Sequence, residues 1–147
     1  MIEIVNHQRG RQLSAAELKT WREFAEKALR AIKSEEAGNA SATIVFVGDR
    51  RIRSLNKEYR GRASVTDVLS FPSEQTVFER KAEANLGDVV ISIPQAERQS
   101  IENALSFERE IAQLILHGLL HLCGYDHETD NGQMNHTELR LRRRLRI

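Results

Sequence analysis

The chain has 147 residues, of which 29% are charged and 40% are hydrophobic, and its formal net charge is +1. A chain of this length can bury a core of its own, so we expect one domain that covers residues 1–147. The nearly balanced charge excludes a global basic field, and any contact with nucleic acid must be local. The single cysteine, Cys123, excludes an internal disulfide framework and indicates a reducing compartment. With no apolar signal region or transmembrane run, the protein is expected to be cytoplasmic and without a membrane partner.

Apolar runs between turn residues predict four short strands. They lie near residues 2–5, 43–47, 68–71 and 87–93, and the third and fourth are expected to end at Pro72 and Pro94. Two polar stretches, residues 34–40 and residues 72–86, separate these segments. We expect loops there, and we expect the longer loop to be mobile.

Helical periodicity predicts about five helices. The first opens with a capping box formed by Ser14 and Glu17, and Asp49 is expected to cap the second. The first helix carries an apolar stripe made of Leu18, Trp21, Ala25, Ala28, Leu29 and Ile32. The other helices are predicted near residues 95–102, at residues 107–123 and from about residue 133 onward. Strands interleaved with helices, followed by a helical half, indicate an α+β fold in which one mixed sheet packs on the helices.

The helix predicted at residues 107–123 is apolar on nearly every side after Glu110, which is typical of a buried helix. Glu108 and Glu110 fall in its first turn, where the helix dipole favours negative charge, and Ser106 is expected to be its N-cap. Gly124 follows the last turn and can adopt the left-handed conformation that ends a helix. Any histidine on this helix needs a partner, because an unpaired buried imidazole is costly.

Three of the five histidines lie within residues 117–127, a segment with the sequence HGLLHLCGYDH. His117 and His121 are four residues apart and share one helix face, and a turn at Gly124 can bring His127 back toward them. This spacing predicts a metal site on the buried helix. The alternative is that each histidine is a core residue bonded to a backbone carbonyl, which suits one histidine better than three. Three protein ligands leave the fourth position of a zinc ion open, as in catalytic sites.

The spacing is similar to the metzincin signature HExxHxxGxxH, including its glycine. However, Gly118 stands where a metalloprotease has the glutamate that acts as general base. Residues 117–127 resemble more closely the signature of the bacterial YbeY family, which consists of metal-dependent endoribonucleases. Residues 56–72 (NKEYRGRASVTDVLSFP) and residues 86–92 (LGDVVIS) also resemble motifs of that family, in the family's order. The sequence departs from the family at residues 62–65, where relatives often carry a lysine and another polar residue.

The resemblance implies a single-strand-specific, zinc-dependent endoribonuclease that acts in ribosomal RNA processing. It implies roles in maturation of the 16S rRNA 3′ end and in ribosome quality control. It also implies one zinc ion per chain, held by His117, His121 and His127, and it places Arg60 in the active site. The expected partners are single-stranded RNA, ribosomal RNA and the ribosome, and the expected reaction is metal-assisted hydrolysis of phosphodiester bonds.

A catalytic role for Arg60 is chemically reasonable, because its permanently charged fork suits phosphate oxygens and developing negative charge. The alternative is a solvated arginine, since the same segment is crowded with other cations. These are Arg50, Arg51, Arg53, Lys57 and Arg62. The resemblance favours the catalytic role, and the cluster supplies a local basic patch for RNA.

Several further residues have two interpretations. Asp126 can orient a histidine or cap a turn, whereas Asp67 and Asp88 are expected at strand starts, where turn chemistry explains them. Met134 could lie beneath the site, as a methionine does in metzincins. In residues 139–146 the arginines are interleaved with Leu139, Leu141 and Leu145, which is typical of a docked amphipathic helix, although attraction to RNA is an alternative.

Two rival functions come from other classes of protein. A metalloprotease shares the histidine spacing but would lack its usual glutamate, because that position is Gly118. A non-catalytic, zinc-containing, ribosome-associated factor would hold its zinc as a structural ion. A fourth protein ligand at the metal would favour that second rival.

Overall fold

The computed structural model describes residues 1–33, 40–73, 84–126 and 128–147. Within these residues the chain forms four strands and five helices. In chain order they are β1 (Ile2–Asn6), α1 (Ala15–Lys33), β2 (Ala40–Val47), α2 (Asp49–Arg60), β3 (Val68–Pro72), β4 (Ala84–Ser92), α3 (Ile93–Glu102), α4 (Phe107–Leu122) and α5 (Gln133–Leu145). The predicted α+β fold, with one mixed sheet and five helices, is confirmed. None of the described helices is both long and apolar enough to cross a membrane.

The four strands form one sheet in the order β1-β2-β4-β3. β2 pairs in parallel with both β1 and β4, whereas β3 pairs antiparallel with β4. Successive side chains of a strand point to opposite faces, and in β4 Val89 and Ile91 enter a large core while Val90 enters a smaller one. The large core contains residues of α1, α4 and α5, and the small core contains Ile52 of α2. Helices therefore cover both faces of the sheet.

The start of α1 is the predicted capping box. Ser14 Oγ accepts a hydrogen bond from the backbone N–H of Glu17 at 3.0 Å, and Oε1 of Glu17 accepts one from the backbone N–H of Ser14 at 3.1 Å. Four residues of the predicted apolar stripe are buried, namely Trp21, Ala25, Ala28 and Leu29. Both predictions for this helix are confirmed.

Asp49 does not cap α2, and this prediction is wrong. The N-cap residue is Gly48, which has no side chain to accept a hydrogen bond. The Asp49 carboxylate instead accepts hydrogen bonds from Oγ of Ser92 at 2.9 Å and from Nη2 of Arg98 at 2.8 and 2.9 Å. Its side chain therefore ties the first turn of α2 to the start of α3.

The two C-terminal strands of the sheet are longer than predicted. β3 includes Pro72, which an edge strand tolerates because an outward-facing N–H is not needed there. β4 begins at Ala84, inside the stretch predicted as a loop. The rest of that stretch, residues 74–83, and residues 34–39 of the other predicted loop lie outside the described residues. α3 begins directly after β4, so Pro94 lies in its first turn.

α4 is buried along most of its length and lies directly on the sheet. Ser106 is its N-cap, as predicted, and accepts a hydrogen bond from the backbone N–H of Arg109 at 3.2 Å. Gly118 touches β4 so closely that a Cβ atom at this position would overlap Cγ1 of Val89. Ser70 Oγ donates to the carbonyl oxygen of Gly118 at 3.2 Å. The C-terminal half of α4 is therefore fixed against both β4 and β3.

Gly118→Ala is expected to lower the free energy of unfolding by up to about 2 kcal/mol. Helix propensity alone would favour alanine by about 1 kcal/mol. Overpacking a tight core typically costs about 1–3 kcal/mol, and the β-branched Val89 has few rotamers with which to make room. Urea unfolding of the two proteins measures the difference.

Gly10→Ala is the control for that comparison. Its nearest neighbour to an added Cβ would be Gln8 at 4.0 Å, so it should be neutral or slightly stabilising. If Gly118→Ala is as stable as Gly10→Ala, the space between Gly118 and Val89 is large enough for a methyl group, and the close contact between α4 and β4 is contradicted.

Candidate active site

The last two turns of α4 bring His117 and His121 together. Their Nε2 atoms are 3.2 Å apart, and the rings meet edge to face with centroids 4.8 Å apart. Two ligands of a tetrahedral zinc ion, each about 2.0–2.1 Å from the metal, are separated by about 3.3–3.4 Å. The four-residue spacing therefore yields the separation that two adjacent metal ligands need. Imidazole nitrogens are donors that Zn²⁺ accepts, so this pair fits that ion.

The chain turns away from α4 at the predicted glycine. Cys123 is the C-cap, and Gly124 follows with a φ of 98°, in the left-handed region. The backbone N–H of Tyr125 donates to the carbonyl oxygen of Leu120 at 3.1 Å, which closes the turn. The predicted third ligand, His127, lies outside the described residues. Within the described residues, no group of three His, Cys, Asp or Glu side chains could hold a metal ion.

A buried acid beside His117 was not predicted from the sequence. Glu138 of α5 is 7% exposed, and its two carboxylate oxygens lie 3.2 and 3.3 Å from Nδ1 of His117. Arg142, one turn further along α5, donates from Nη2 to Oε1 of Glu138 at 3.2 Å. Burial alone would raise the pKa of the Glu138 carboxyl. The hydrogen bond and charge of His117, with the charge and hydrogen bond of Arg142, outweigh burial and lower that pKa.

The signal for Glu138 is present in the pattern of α5. Met134, Glu138, Leu141 and Leu145 follow helical spacing, so the acid interrupts an apolar stripe. A glutamate in such a stripe is almost never fully buried unless it is paired. The pattern therefore indicates a buried partner for Glu138, although it does not say which one.

His117 and His121 line a cleft of about 490 Å³ that extends to Arg60. The remaining walls are formed mainly by residues 66–70, which lead into β3, and by residues 124–126 after α4. Three of the four residues proposed from the sequence are thus brought to one cleft.

Arg60 is the last residue of α2, and Gly61 follows it with a φ of 71°. The Arg60 side chain is 44% exposed, and its Nη2 lies 3.8 Å from Oε1 of Glu128. Asn56 is buried and donates from Nδ2 to the carbonyl oxygen of Ser64 at 3.0 Å, which holds the loop after α2 against the helix. The backbone around Arg60 is therefore fixed, while its guanidinium group remains accessible from the cleft.

The cations around Arg60 form an exposed basic surface on and just after α2. The members of this basic surface are Arg50, Arg51, Arg53, Lys57 and Arg62, and all of them are exposed. Of these cations and Arg60, it is Arg60 that lines the histidine cleft in the described structure. Arg51 is therefore a suitable control for Arg60, because Arg60 lines the cleft and Arg51 lies outside it.

The three aspartates have different surroundings. Asp67 precedes β3 and accepts a hydrogen bond from the backbone N–H of Val68 at 2.8 Å, which agrees with the predicted turn chemistry. Asp126 accepts one from the backbone N–H of Glu128 at 3.0 Å, which favours the turn-capping interpretation. Asp88 lies inside β4 and is exposed, so the prediction that it begins a strand is wrong.

Two sulfur-containing side chains near the histidines in sequence are packing residues. Met134 is 1% exposed and, with Leu141, docks α5 on the large core, as expected for an amphipathic helix. Burial raises the pKa of the Cys123 thiol, although the charge of Lys33 partly opposes this effect. Cys123 packs against the large core as a partly buried residue.

An imidazole pair and a guanidinium group in one open cleft are groups that metal-assisted phosphodiester hydrolases use. The sequence model of the family Endoribonuclease YbeY matches residues 3–146 of the chain. The protein belongs to that family. The resemblance inferred from the three motifs is thereby confirmed.

Individual relatives agree with the family match. An Endoribonuclease YbeY of Desulforamulus reducens is 53% identical over 95 residues, which are 63% of this chain and 62% of that relative. An Endoribonuclease YbeY of Clostridioides difficile is 45% identical over 113 residues, which are 74% of each chain. The aligned part thus spans less than two thirds of the Desulforamulus relative. The solution structure of a Thermotoga maritima protein matches with a TM-score of 0.64 and 26% identity, covering 99% of this chain and 89% of that chain.

Proposed function

We propose that the protein is a single-strand-specific, zinc-dependent endoribonuclease that acts in ribosomal RNA processing. The observation that carries the proposal is the histidine pair, whose Nε2 atoms are 3.2 Å apart, in a cleft that Arg60 also lines. Membership of the Endoribonuclease YbeY family supports RNA as the substrate. The family resemblance also motivates the proposed roles in maturation of the 16S rRNA 3′ end and in ribosome quality control, with the ribosome as partner and the cytoplasm as location.

His117 and His121 would hold the zinc ion, together with the predicted third ligand His127. A zinc ion held by three imidazoles supplies Lewis acidity, which lowers the pKa of coordinated water and polarises phosphoryl oxygens. Gly118 contributes no side chain to proton transfer. In this proposal the side chains of the cleft bind and orient the phosphodiester.

Arg60 is proposed to bind the phosphate that is cleaved. Its planar guanidinium group can donate to two phosphate oxygens at once and stays charged at every relevant pH. Glu128 lies 3.8 Å away and is itself exposed, and ion pairs of this kind are weak enough for a phosphate to replace them. The charge that develops on the phosphate in the transition state would then meet a donor that is already in place.

The size of the cleft supports a single-stranded substrate. A volume of about 490 Å³ lies in the range of sites that enclose one small ligand. Such a cleft can take one or two nucleotides of a flexible strand. The exposed basic surface of α2 can contact the phosphates of the flanking nucleotides, an interaction that weakens with salt.

The metalloprotease alternative is disfavoured by packing as well as by chemistry. The Cα of Gly118 faces β4, where a Cβ atom would overlap Cγ1 of Val89. A glutamate at this position would point at the sheet and not into the cleft. The other alternative, a factor with a structural zinc, would require a fourth protein ligand in addition to the three histidines.

Zinc-loaded protein is expected to cleave a single-stranded RNA, and a chelator is expected to stop the reaction. Added zinc should restore it, and the same RNA annealed to its complement should be cleaved more slowly. Gel analysis of end-labelled RNA measures all three results. Cleavage that persists after complete removal of the metal would contradict zinc dependence, and degradation of an unstructured protein such as casein would favour the protease.

A further inference from the structure

We propose that Glu138 is a positioning residue that holds the proton of His117 on Nδ1 and so aims the Nε2 lone pair at the metal position. We further propose that Arg142 holds the Glu138 carboxylate in place. The inference rests on the proposed metal site, and it adds two residues of α5 to a site that the histidines of α4 define.

The three side chains form a continuous series of contacts between the two helices. Oε1 of Glu138 lies 3.2 Å from Nδ1 of His117 and accepts a hydrogen bond from Nη2 of Arg142 at 3.2 Å. Oε1 is therefore shared by both contacts, and Oε2 lies 3.3 Å from the same Nδ1. The Glu138 side chain is 10% exposed, so water competes little for these bonds.

The chemistry of the contact decides which nitrogen of His117 carries the proton. An ionised carboxylate can only accept hydrogen bonds, so the hydrogen between the two groups belongs to Nδ1 of His117. In the neutral ring the other nitrogen, Nε2, then carries the lone pair. That atom is the one 3.2 Å from Nε2 of His121. The opposite tautomer would point a hydrogen, not a lone pair, at the metal position.

Arg142 explains why the carboxylate stays where it is. Glu138 is buried, and an uncompensated charge there would be costly. The Arg142 guanidinium is always protonated and lies one turn away on the same helix. Its hydrogen bond to Oε1 fixes the rotamer that places this oxygen beside His117.

The direct test is the tautomer of His117 in the metal-free wild-type protein. Two-bond ¹H–¹⁵N correlation spectra of ¹⁵N-histidine-labelled protein, recorded at a pH where the imidazoles are neutral, report which ring nitrogen carries the proton. We expect the proton on Nδ1, although neutral histidine in water prefers Nε2. A proton on Nε2 of His117 would overturn the proposal, whatever the variants do.

Variants of Glu138 test the same idea through zinc affinity, measured by competition with a chromophoric chelator. Glu138→Ala should move His117 toward the Nε2 tautomer and weaken zinc binding by about 10–100-fold. Glu138→Gln should keep the tautomer and restore most of the affinity, because the amide oxygen can take the place of Oε1, which lies 3.2 Å from both Nδ1 of His117 and Nη2 of Arg142. Failure of Glu138→Gln to bind zinc better than Glu138→Ala would count against the proposal.

Glu110→Ala is the matched control. Glu110 is a buried acid of α4 at 3% exposure, and its carboxylate accepts hydrogen bonds from the amides of Gln99 and Asn103, not from an imidazole. We expect its zinc affinity and its His117 tautomer to match the wild type. An equal loss of affinity in Glu110→Ala would overturn the specific role of Glu138. None of these measurements uses RNA cleavage, so a failure of the proposed ribonuclease activity would be distinguishable from a failure of this inference.

Discussion

His121→Ala is expected to lose most of the zinc that the wild-type protein carries, which should be close to one ion per chain. The variant lacks one of the three predicted ligands. The loss of zinc affinity should therefore exceed the roughly 10–100-fold loss that follows removal of a residue hydrogen-bonded to a ligand. His121 is only partly buried at the end of α4, and truncating it should leave the core packing intact. Metal analysis of dialysed protein measures the zinc, and circular dichroism checks the helices.

His7→Ala is the control for metal content. His7 follows β1 and is exposed, so its removal takes away an imidazole without touching the cleft. We expect this variant to retain its zinc. A His121→Ala protein with as much zinc as His7→Ala would contradict the assignment of the metal site.

Arg60→Ala is expected to reduce RNA cleavage by about 100–1000-fold, or roughly 3–4 kcal/mol of transition-state stabilisation. Zinc content and thermal stability should stay close to those of the wild type, because the exposed ion pair with Glu128 is worth only about 0–1 kcal/mol. Single-turnover cleavage of an end-labelled RNA measures the rate. Arg60→Lys should recover part of it, since an ammonium group keeps the charge but not the two-pronged geometry.

Arg51→Ala separates catalysis from general attraction to RNA. Arg51 is exposed on the basic surface of α2. Its loss should weaken RNA binding and reduce the salt dependence of that binding, with a smaller effect on the rate at which bound RNA is cleaved. If Arg51→Ala and Arg60→Ala cleave equally well, Arg60 is one charge among several. If Arg60→Ala unfolds, its role is structural and the catalytic assignment is wrong.

Elements governed by neighbours along the chain were predictable from the sequence. The capping box of Ser14 and Glu17 and the N-cap at Ser106 involve residues three positions apart, and both are present. The prediction that Asp49 caps α2 was wrong because the partners of its side chain, Ser92 and Arg98, are more than forty positions away in sequence. The predicted start of β4 was wrong for a similar reason. Pairing with β2 extends the strand into a stretch whose composition is locally polar.

In the candidate site, too, the features set by neighbours along the chain were predictable and those set by distant residues were not. The four-residue spacing of His117 and His121 is local to one helix, and it fixes the approach of their Nε2 atoms. The placement of Arg60 in the same cleft depends on how α2 and β3 meet α4, and only the family motifs indicated it. Glu138 was not predicted, because its contact with His117 requires the docking of α5.

The contact between Gly118 and Val89 also restricts how this fold can change its chemistry during evolution. Acquiring a protease's glutamate would require a new side chain at position 118 and a smaller residue at position 89. The first change alone overpacks the boundary between helix and sheet, and the second alone leaves a cavity there. Each order of substitution passes through a less stable intermediate. Packing against Val89 thus opposes a glutamate at position 118, although the histidine spacing of the chain is that of the metzincin signature.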